Sequence, residues 1–320
     1  MRKIVSIIQI GFILGLIHFQ IMAQQQPMYT QFMYNKLSLN PGFAGNENHT
    51  SFTLLHRSQW IGFSGAPQSQ VFTINFPRIN KQLGLGLNFE RQSLGITEKI
   101  TYEAMYAYKF RMGSGTLSMG MNISGRNYAQ DYTDPRLYAV QGIVNDPSIP
   151  LDRFVNHVFN AGFGVYYNTN VFFAGASVPR MIRSDLDFDK NNFFTTEVRH
   201  LFLMTGGSFA IQQDYRLTPH IMVRMAENSP FSIDLNLMGV YKDKYSAGLT
   251  YRTGGGPGDW GESLDILFSL QATERWMISA AYDITLSDIR SADNGSIEVC
   301  LYYSLVPRKI KTIMVNPRYF

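Results

Sequence analysis

Cysteine is nearly missing from this chain, because Cys300 is the only one among 320 residues. A single cysteine can form no intramolecular disulfide, so the fold is stabilised by something else. Beyond residue 17 the chain also lacks any apolar run of the roughly 18 residues that a membrane-spanning helix needs. These two absences exclude a disulfide-stapled domain and a bundle of membrane helices.

An excess of charge of one sign is missing as well. The chain carries 28 Lys and Arg residues against 24 Asp and Glu residues, a net charge of +4, and both signs are dispersed along it. Nucleic-acid binding requires basic residues clustered on one face. The composition therefore predicts no nucleic-acid partner.

The amino-terminal stretch has the three parts of a secretory signal peptide. Basic residues at positions 2 and 3 precede an apolar run at 4–17, and Ala23 supplies a small residue at the cleavage point. A membrane anchor is the alternative, but the run is short and ends in polar residues without a basic flank. We expect cleavage after Ala23, and no neighbouring cysteine is present for thioether lipidation.

Alternation with a period of two is the main signal in the rest of the chain. In the hairpin at 98–126, Tyr102 and Tyr106 fall on one side, whereas Glu103 and Lys109 fall on the other. Such alternation indicates a strand with one apolar face. Each strand is about ten residues long, and a tilted strand needs roughly 9–11 residues to cross a bilayer. The hairpin therefore predicts membrane-spanning β-structure.

Similar patterns recur along the chain and predict about fourteen strands, an even number typical of outer-membrane barrels. We place them, within a few residues, at 50–60, 67–77, 82–91, 98–110, 115–126, 156–167, 171–178, 199–211, 215–225, 230–241, 245–253, 262–271, 275–284 and 295–304. Short links follow the even-numbered strands and mostly longer links follow the odd ones, as in barrels with short periplasmic turns. A soluble β-sandwich, the alternative, gives no reason for this regularity.

The predicted organisation is therefore an all-β transmembrane barrel in the outer membrane, with antiparallel strands and a cleaved signal peptide. It comprises the signal peptide at 1–23, a periplasmic amino-terminal segment and possible plug at 24–48, the barrel at 49–306, and a basic periplasmic tail at 307–320. Both termini of the mature chain are expected on the periplasmic side with the short turns.

Charged residues within the strands predict which face meets lipid. A charge facing lipid near the midplane costs roughly 2–4 kcal/mol, so Glu103, Lys109, Asp234 and Asp265 are expected to point into the lumen. Aromatic residues favour the membrane interfaces, where an amphipathic ring has one wet end. The candidates for these girdles are Tyr106, Tyr108, Tyr166, Tyr241, Tyr251, Trp276 and Tyr282.

Three short motifs carry a family resemblance. Residues 40–45 read NPGFAG, residues 57–67 read RSQWIGFSGAP, and the chain closes at 316–320 with NPRYF. In this combination the chain resembles the PorP/SprF family, outer-membrane proteins of the bacterial type IX secretion system. Gly42 and Ile297 depart from the family, which more often has alanine and histidine there.

The resemblance implies a non-enzymatic role in exporting or attaching surface proteins, including the adhesins of gliding motility. Implied partners are outer-membrane lipid, periplasmic ring or lipoprotein subunits, and secreted cargo with a C-terminal sorting domain. The motif positions that we take as structural or interaction residues are Asn40, Pro41, Gly45, Arg57, Gln59, Trp60, Gly62, Gly65, Pro67, Pro317, Arg318, Tyr319 and Phe320.

Catalytic and cofactor sites find little support in the sequence. The histidines show no metal-ligand spacing, and no serine, histidine and carboxylate are specified to converge. The glycine pairs at 84–86 and 162–164 lack the following helix of a phosphate loop and are expected to face the lumen or relieve strand curvature. Asp185, Asp187 and Asp189 alternate as in a calcium loop, but the turn glycine is missing, so a solvated acidic loop is the alternative.

Three segments carry more specific predictions. Phe32, Met33 and Phe43 lie in a non-strand segment and need burial, so residues 24–48 are expected to fold into or under the lumen from the periplasmic side. The Arg57 guanidinium is expected to bond backbone carbonyls of the loop at 61–66, and Trp60 to organise the same loop or to act as a girdle residue.

The tail at 307–320 combines basic residues with a β-prone run, which suits addition of a strand to a partner's sheet. Recognition by the barrel-assembly machinery and simple disorder are the alternatives for this tail. A secretion accessory and a general diffusion porin or small-solute channel share every strand-level feature, so only the family resemblance favours the accessory. An outer-membrane enzyme is the third and weaker alternative, because no catalytic residues are specified to converge.

Overall fold

The computed structural model describes residues 28–80, 82–137, 152–183, 197–227, 229–254 and 260–305. Strand segments dominate this part of the chain, preceded by short 3-10 turns. The segments are β1 (Thr50–Ser58), β2 (Gln68–Asn75), β3 (Leu83–Leu94), β4 (Thr97–Met112), β5 (Gly115–Asp131), β6 (Arg153–Asn168), β7 (Phe172–Val178), β8 (His200–Gly207), β9 (Phe209–Gln212), β10 (Tyr215–Ala226), β11 (Ser232–Tyr241), β12 (Tyr245–Arg252), β13 (Ser263–Gln271), β14 (Trp276–Thr285) and β15 (Ser296–Leu305).

The segments form one sheet that closes on itself. Apart from β8 and β9, each segment pairs antiparallel with its neighbours in sequence, and β15 returns to pair with β1 along nearly its whole length. β8 and β9 both pair with β10 and are two parts of one strand, interrupted at Ser208. The ring therefore has fourteen strand positions, and the predicted barrel and strand count are confirmed. Closure removes the unpaired sheet edges that lipid cannot satisfy.

The two faces of the strands differ as the alternation predicts. On β4, Tyr102 and Tyr106 are exposed on the outside of the barrel, whereas Glu103 and Lys109 are buried in its interior. Asp234 and Asp265 are fully buried there too. The prediction that these four charged residues point into the lumen is confirmed.

The prediction that Tyr166 is a girdle residue is wrong. Tyr166 is fully buried inside the barrel, where its ring packs against Phe43 and Phe173. The alternation of β6 places Tyr166 on the same face as Gly164, which leaves room for an aromatic side chain in the lumen. The exposed girdle candidates on the outside are Tyr106, Tyr108, Tyr251, Trp276 and Tyr282.

The two ends of the barrel differ in their connections. At the turn end, the strands are joined by short links such as the two residues between β4 and β5. At the loop end, long links join β5 to β6 and β7 to β8, although β3 and β4 are joined by a tight turn at Gly95. The strands also differ in length, with 16 residues in β4 and β6 but only 7 in β7.

Among the residues that the structure describes, no helix is long and apolar enough to cross a membrane.

Candidate functional site

The barrel interior is occupied by the chain's own amino-terminal residues 28–48, which we call the inner segment. It is built from three 3-10 turns, Phe32–Tyr34, Lys36–Ser38 and Pro41–Phe43, and most of its side chains are buried. The apolar side chains of this non-strand segment, including Phe32, Met33 and Phe43, are therefore buried in the lumen. Phe32 is 1% exposed and Met33 is 3% exposed.

The inner segment runs from one end of the lumen to the other. At the turn end, Asn48 accepts a hydrogen bond from Arg78 (3.3 Å), just before β1 begins. At the loop end, Met28 lines a small cavity with His200 and Ser232, which are the first residues of β8 and β11. The expectation that both termini lie at the turn end is thus wrong for this segment, because it crosses the whole barrel before entering β1.

Thr30 is the centre of a buried hydrogen-bond network in the loop half of the lumen. Its amide donates to Glu298 Oε2 (3.0 Å), and its hydroxyl contacts both carboxylate oxygens of Asp283 (3.0 Å). The same hydroxyl accepts hydrogen bonds from Arg57 (3.1 Å) and Arg252 (3.2 Å). Four strands of the barrel therefore hold one residue of the inner segment.

Arg57 joins the two carboxylates of this network. Its Nη2 lies 2.6 Å from Asp283 Oδ2, and its Nη1 lies 3.2 Å from Glu298 Oε2. The expected hydrogen bonds from Arg57 to loop carbonyls at 61–66 are therefore wrong. Arg57 occupies an inward position of β1, so its side chain extends into the lumen and away from the loop.

The network continues along the neighbouring strands β10 to β13 through a second set of charged side chains. Arg252 Nε donates to Asp234 Oδ1 (3.0 Å), and its Nη2 lies 3.7 Å from Asp265. Arg224 also pairs with Asp234. Buried charges are costly unless they are paired and hydrogen-bonded. Asp234 meets that requirement through Arg224 and Arg252, whereas Asp265 has its ion pair with Arg252 but no hydrogen-bond partner among the described residues.

A separate charged cluster surrounds Arg180, which follows β7. Its guanidinium lies 3.5 Å from both Glu103 and Glu197, and 3.8 Å from Glu90. Glu90 accepts a hydrogen bond from the Tyr29 hydroxyl of the inner segment. Adjacent residues of the inner segment, Tyr29 and Thr30, are thus bonded to different strands of the barrel wall.

The NPGFAG motif packs against glycines in the turn half of the lumen. The Asn40 side chain accepts from the Gly42 amide (2.8 Å) and donates to the carbonyl oxygens of Val165 (3.0 Å) and Ala176 (3.4 Å). A Cβ added at Gly120 would lie only 2.3 Å from Pro41. The motif is therefore a tight turn that needs glycines in the wall facing it.

The end of the motif makes an equally close approach. Gly45 has a φ of +64° and donates its amide to Asn75 Oδ1 (2.7 Å). A Cβ added at Gly84 would lie 2.0 Å from the Ala44 carbonyl oxygen. The prediction that the glycine pairs at 84–86 and 162–164 face the lumen is confirmed, since Gly84, Gly86, Gly162 and Gly164 are all inward positions.

The second motif continues from β1 into the loop at 59–67. Trp60 has a φ of +50°, and its amide donates to the Ser296 hydroxyl (3.2 Å). Ile61 exchanges backbone hydrogen bonds with Gly295 and Asn294, both of 2.8 Å. The loop is therefore fixed to the link between β14 and β15.

Glycines permit this loop geometry. Gly62 and Gly65 have φ values of +97° and +77°, a region that other residues rarely adopt. A Cβ at Gly62 would also lie 2.8 Å from the Asn294 side chain.

The predicted site residues therefore fall into three groups. Four lie inside the barrel, with Asn40, Pro41 and Gly45 in the turn half of the lumen and Arg57 in the network of the loop half. Residues placed in the loop at 59–67 are Gln59, Trp60, Gly62, Gly65 and Pro67. Those outside the described residues are Asp185, Asp187, Asp189, Pro317, Arg318, Tyr319 and Phe320.

The partners of Arg57 and the Arg180 cluster are not among the site residues predicted from the sequence. Asp283, Glu298 and Arg252 occupy inward positions of separate strands, so alternation could have placed each of them in the lumen. No pattern along the chain indicates that they meet at Thr30. Within the described ranges, no group of three or more His, Cys, Asp or Glu side chains is arranged to hold a metal ion.

Comparisons with known proteins agree with this architecture. The sequence model of one family, described as type IX secretion system membrane protein PorP/SprF, matches residues 21–303. A comparison with curated protein sequences gave no match.

Several solved structures resemble the barrel loosely. The outer membrane protein Omp33 of Acinetobacter baumannii is 8% identical, with 82% of this chain and 100% of that chain covered and a TM-score of 0.47. The Ralstonia pickettii toluene transporter TbuX is 10% identical, with 85% and 93% covered and a TM-score of 0.48. A Pseudomonas aeruginosa FadL homologue is 11% identical, with 88% and 95% covered and a TM-score of 0.44. Likenesses of this size carry no argument about function.

Proposed function

The chain belongs to the PorP/SprF family of type IX secretion system membrane proteins, and we propose that it serves as an occluded outer-membrane scaffold in that system. The barrel is an outer-membrane barrel, and its strands carry the apolar outer face that lipid requires. The scaffold supports export or surface attachment of secreted proteins and performs no catalysis.

The observation that carries this proposal is the attachment of the inner segment within the lumen. A barrel of fourteen strands has an interior wider than its own side chains fill, so an unoccupied lumen conducts solutes. Here residues 28–48 take that space and are tied to the wall by buried charged groups at Thr30 and by the tight turn at Asn40. A general diffusion porin, the alternative, requires a water-filled path through the same volume.

The proposed partners follow from the family and from the two ends of the barrel, which lie outside the lipid. We propose that the barrel contacts periplasmic ring or lipoprotein subunits at its turn end, or secreted cargo with a C-terminal sorting domain. The basic tail at 307–320, which lies outside the described residues, is our candidate for the periplasmic contact.

The loop at 59–67 is our candidate for an organising element at the opposite end. Its hydrogen bonds to Ser296 and to the link between β14 and β15 fix the backbone at Trp60 and Ile61 at the loop end of the barrel. Trp60→Phe should lower secretion while the barrel reaches normal levels in the outer membrane. If Trp60 is only a girdle residue, secretion by the variant will equal that of the wild type.

Planar-bilayer recordings combined with secretion assays test the scaffold proposal. The wild-type barrel should show no stable conductance, and deletion of residues 24–45 should produce stable ohmic steps, because the lumen is then emptied. Cells without the protein should lose surface and secreted proteins that the wild-type gene restores. A wild type that conducts steadily favours the porin, and an unchanged surface and secreted proteome contradicts the role in secretion.

A further inference from the structure

The lipid-facing side of the barrel carries an apolar groove near the turn end. The groove has a volume of about 710 Å³ and runs across β10 to β14. It lies outside the barrel, because Ala247, Phe268 and Ala280, which line it, are outward positions of β12, β13 and β14. Sites for small molecules are mostly apolar and have volumes of about 300–1,000 Å³, so the groove has the size of a binding site.

Small residues beside large ones give the groove its shape. On its floor the side chains of Ala247 and Ala280 end at Cβ. Two residues closer to the turns, the outward positions of the same three strands are Tyr245, Leu270 and Ile278, which lie side by side in register. Two residues span about 7 Å along a strand. Floor and wall therefore form a step in the lipid-facing surface, against which an acyl chain can lie.

An aromatic row shows where the groove lies in the membrane. Tyr215 is opposite Tyr241, with ring centroids 4.8 Å apart, and Tyr241 is opposite Tyr245. Aromatic girdles lie at the level of the lipid headgroups, and the short turns of such barrels are periplasmic. The floor of the groove is on the bilayer side of this row, so it faces the acyl chains of the periplasmic leaflet.

Two lysines lie beside the same aromatic row. The ammonium of Lys242 is 5.2 Å from the centre of the Tyr241 ring, and that of Lys244 is 5.4 Å from the centre of the Tyr245 ring. Both distances are within the range of a cation–π contact. The two positive charges are therefore at the level of the headgroup phosphates, directly above the groove.

The rim of the groove carries more positive than negative charge. Arg216 lies 3.6 Å from Asp243, and Lys242 lies 3.8 Å from Asp214, so Lys244 is the basic residue in excess of the acidic ones. A second copy of this chain, docked here about a two-fold axis, would bring these lysines against their own equivalents. A phosphate group instead complements the excess charge.

We propose that this groove binds one phospholipid of the periplasmic leaflet. One of its acyl chains lies against Ala247 and Ala280, and its phosphate is held by Lys242 and Lys244. The headgroup contact and the step in the wall together distinguish this lipid from those around the rest of the barrel. The site is on the outer face and uses no residue of the inner segment, so the proposal is independent of the role in secretion.

Native mass spectrometry of the full-length barrel tests this proposal, with protein purified in a mild detergent and titrated with phosphatidylglycerol. The wild type should bind one phospholipid more tightly than any further one. Ala247→Phe fills the groove and should lower the occupancy of that lipid several-fold. Ala104→Phe is the matched control, since Ala104 is an exposed outward position of β4, and it should leave the occupancy unchanged.

A second pair of variants tests the headgroup contact. Lys244→Gln should lower the occupancy several-fold and weaken the preference for phosphatidylglycerol over phosphatidylethanolamine, because the excess positive charge is lost. Arg111→Gln, which removes an exposed charge at the turn end of β4, should change neither. If Ala247→Phe fails to assemble, as judged by heat-modifiable mobility, this pair alone decides the outcome.

Three results would overturn the proposal. A wild type that binds no phospholipid in excess phosphatidylglycerol has no such site. Equal occupancy in each variant and its control means that the retained lipid is bound elsewhere on the barrel. A dimer that Ala247→Phe dissociates assigns the groove to a second copy of this chain. Conductance and secretion, which test the scaffold proposal, should be normal in all four variants.

Discussion

Removal of the Arg57 side chain is the perturbation that most directly tests how the inner segment is held. Arg57→Met keeps a long apolar side chain but removes the guanidinium that joins Asp283 and Glu298 at 2.6 and 3.2 Å. The side chains of all three residues are at most 3% exposed. Thr30 loses one of its two arginine donors in the same change.

The size of the effect follows from burial. Breaking a buried ion pair by removing one partner costs about 3–5 kcal/mol, because the remaining charge is uncompensated. In the variant, Arg252 still lies 3.7 Å from Asp283 and compensates part of its charge. We therefore expect a cost near 3 kcal/mol, the lower end of that range. A cost of 3 kcal/mol corresponds to roughly a hundredfold change in the unfolding equilibrium.

The assay is urea unfolding of the reconstituted barrel, with limited proteolysis of residues 28–48 as a second readout. Arg57→Met should lower the free energy of unfolding by about 3 kcal/mol and make the inner segment sensitive to protease. Arg91→Met is the matched control. Arg91 pairs with Glu98 at the same distance of 2.6 Å, but its side chain is 54% exposed, and exposed pairs contribute about 0–1 kcal/mol.

A second variant checks that the cost arises from unpaired carboxylates. Arg57→Met combined with Glu298→Gln should cost less than the sum of the two single changes, since the charges are coupled. If Arg57→Met costs no more than Arg91→Met, and the inner segment stays resistant to protease, the reasoning is refuted.

Three further predictions concern the inner segment and the tail. Gly84→Ala should displace the inner segment and raise conductance, because its Cβ would lie 2.0 Å from a backbone oxygen, whereas the control Gly239→Ala meets nothing closer than 3.9 Å and should be silent. An epitope inserted after Gln25 should be labelled on intact cells, since Met28 lies at the loop end and three residues span about 10 Å at most; labelling that needs a permeabilised outer membrane would contradict this. Truncation after Val306 should leave barrel levels normal but lose surface cargo and co-purifying periplasmic subunits, and normal secretion by the truncated protein would exclude a docking role for the tail.

The barrel could be predicted because lipid and lumen impose opposite demands on alternate residues. Within a single strand, the residue types at alternate positions indicate which face meets lipid. Tyr106 and Lys109 can therefore be assigned to the outer and inner faces of β4 without knowledge of any neighbouring strand. The alternation of short and longer links between the strands likewise predicted which end of the barrel carries the turns and which carries the loops. Tyr166 shows that residue type alone is a weaker guide: an aromatic residue suits the interface or a packed lumen equally well, and the alternation with Gly162 and Gly164 is what indicates the lumen.

The sequence by itself determined the strands, their faces, the closed barrel and the family motifs, because each depends on residues that are near one another in the chain. Only the tertiary structure decided where the amino-terminal segment runs and what Arg57 binds. Thr30 and Glu298 are 268 positions apart, and their hydrogen bond exists only after β15 has closed against β1. A contact between distant residues depends on the register of every strand between them, and no local pattern carries that information.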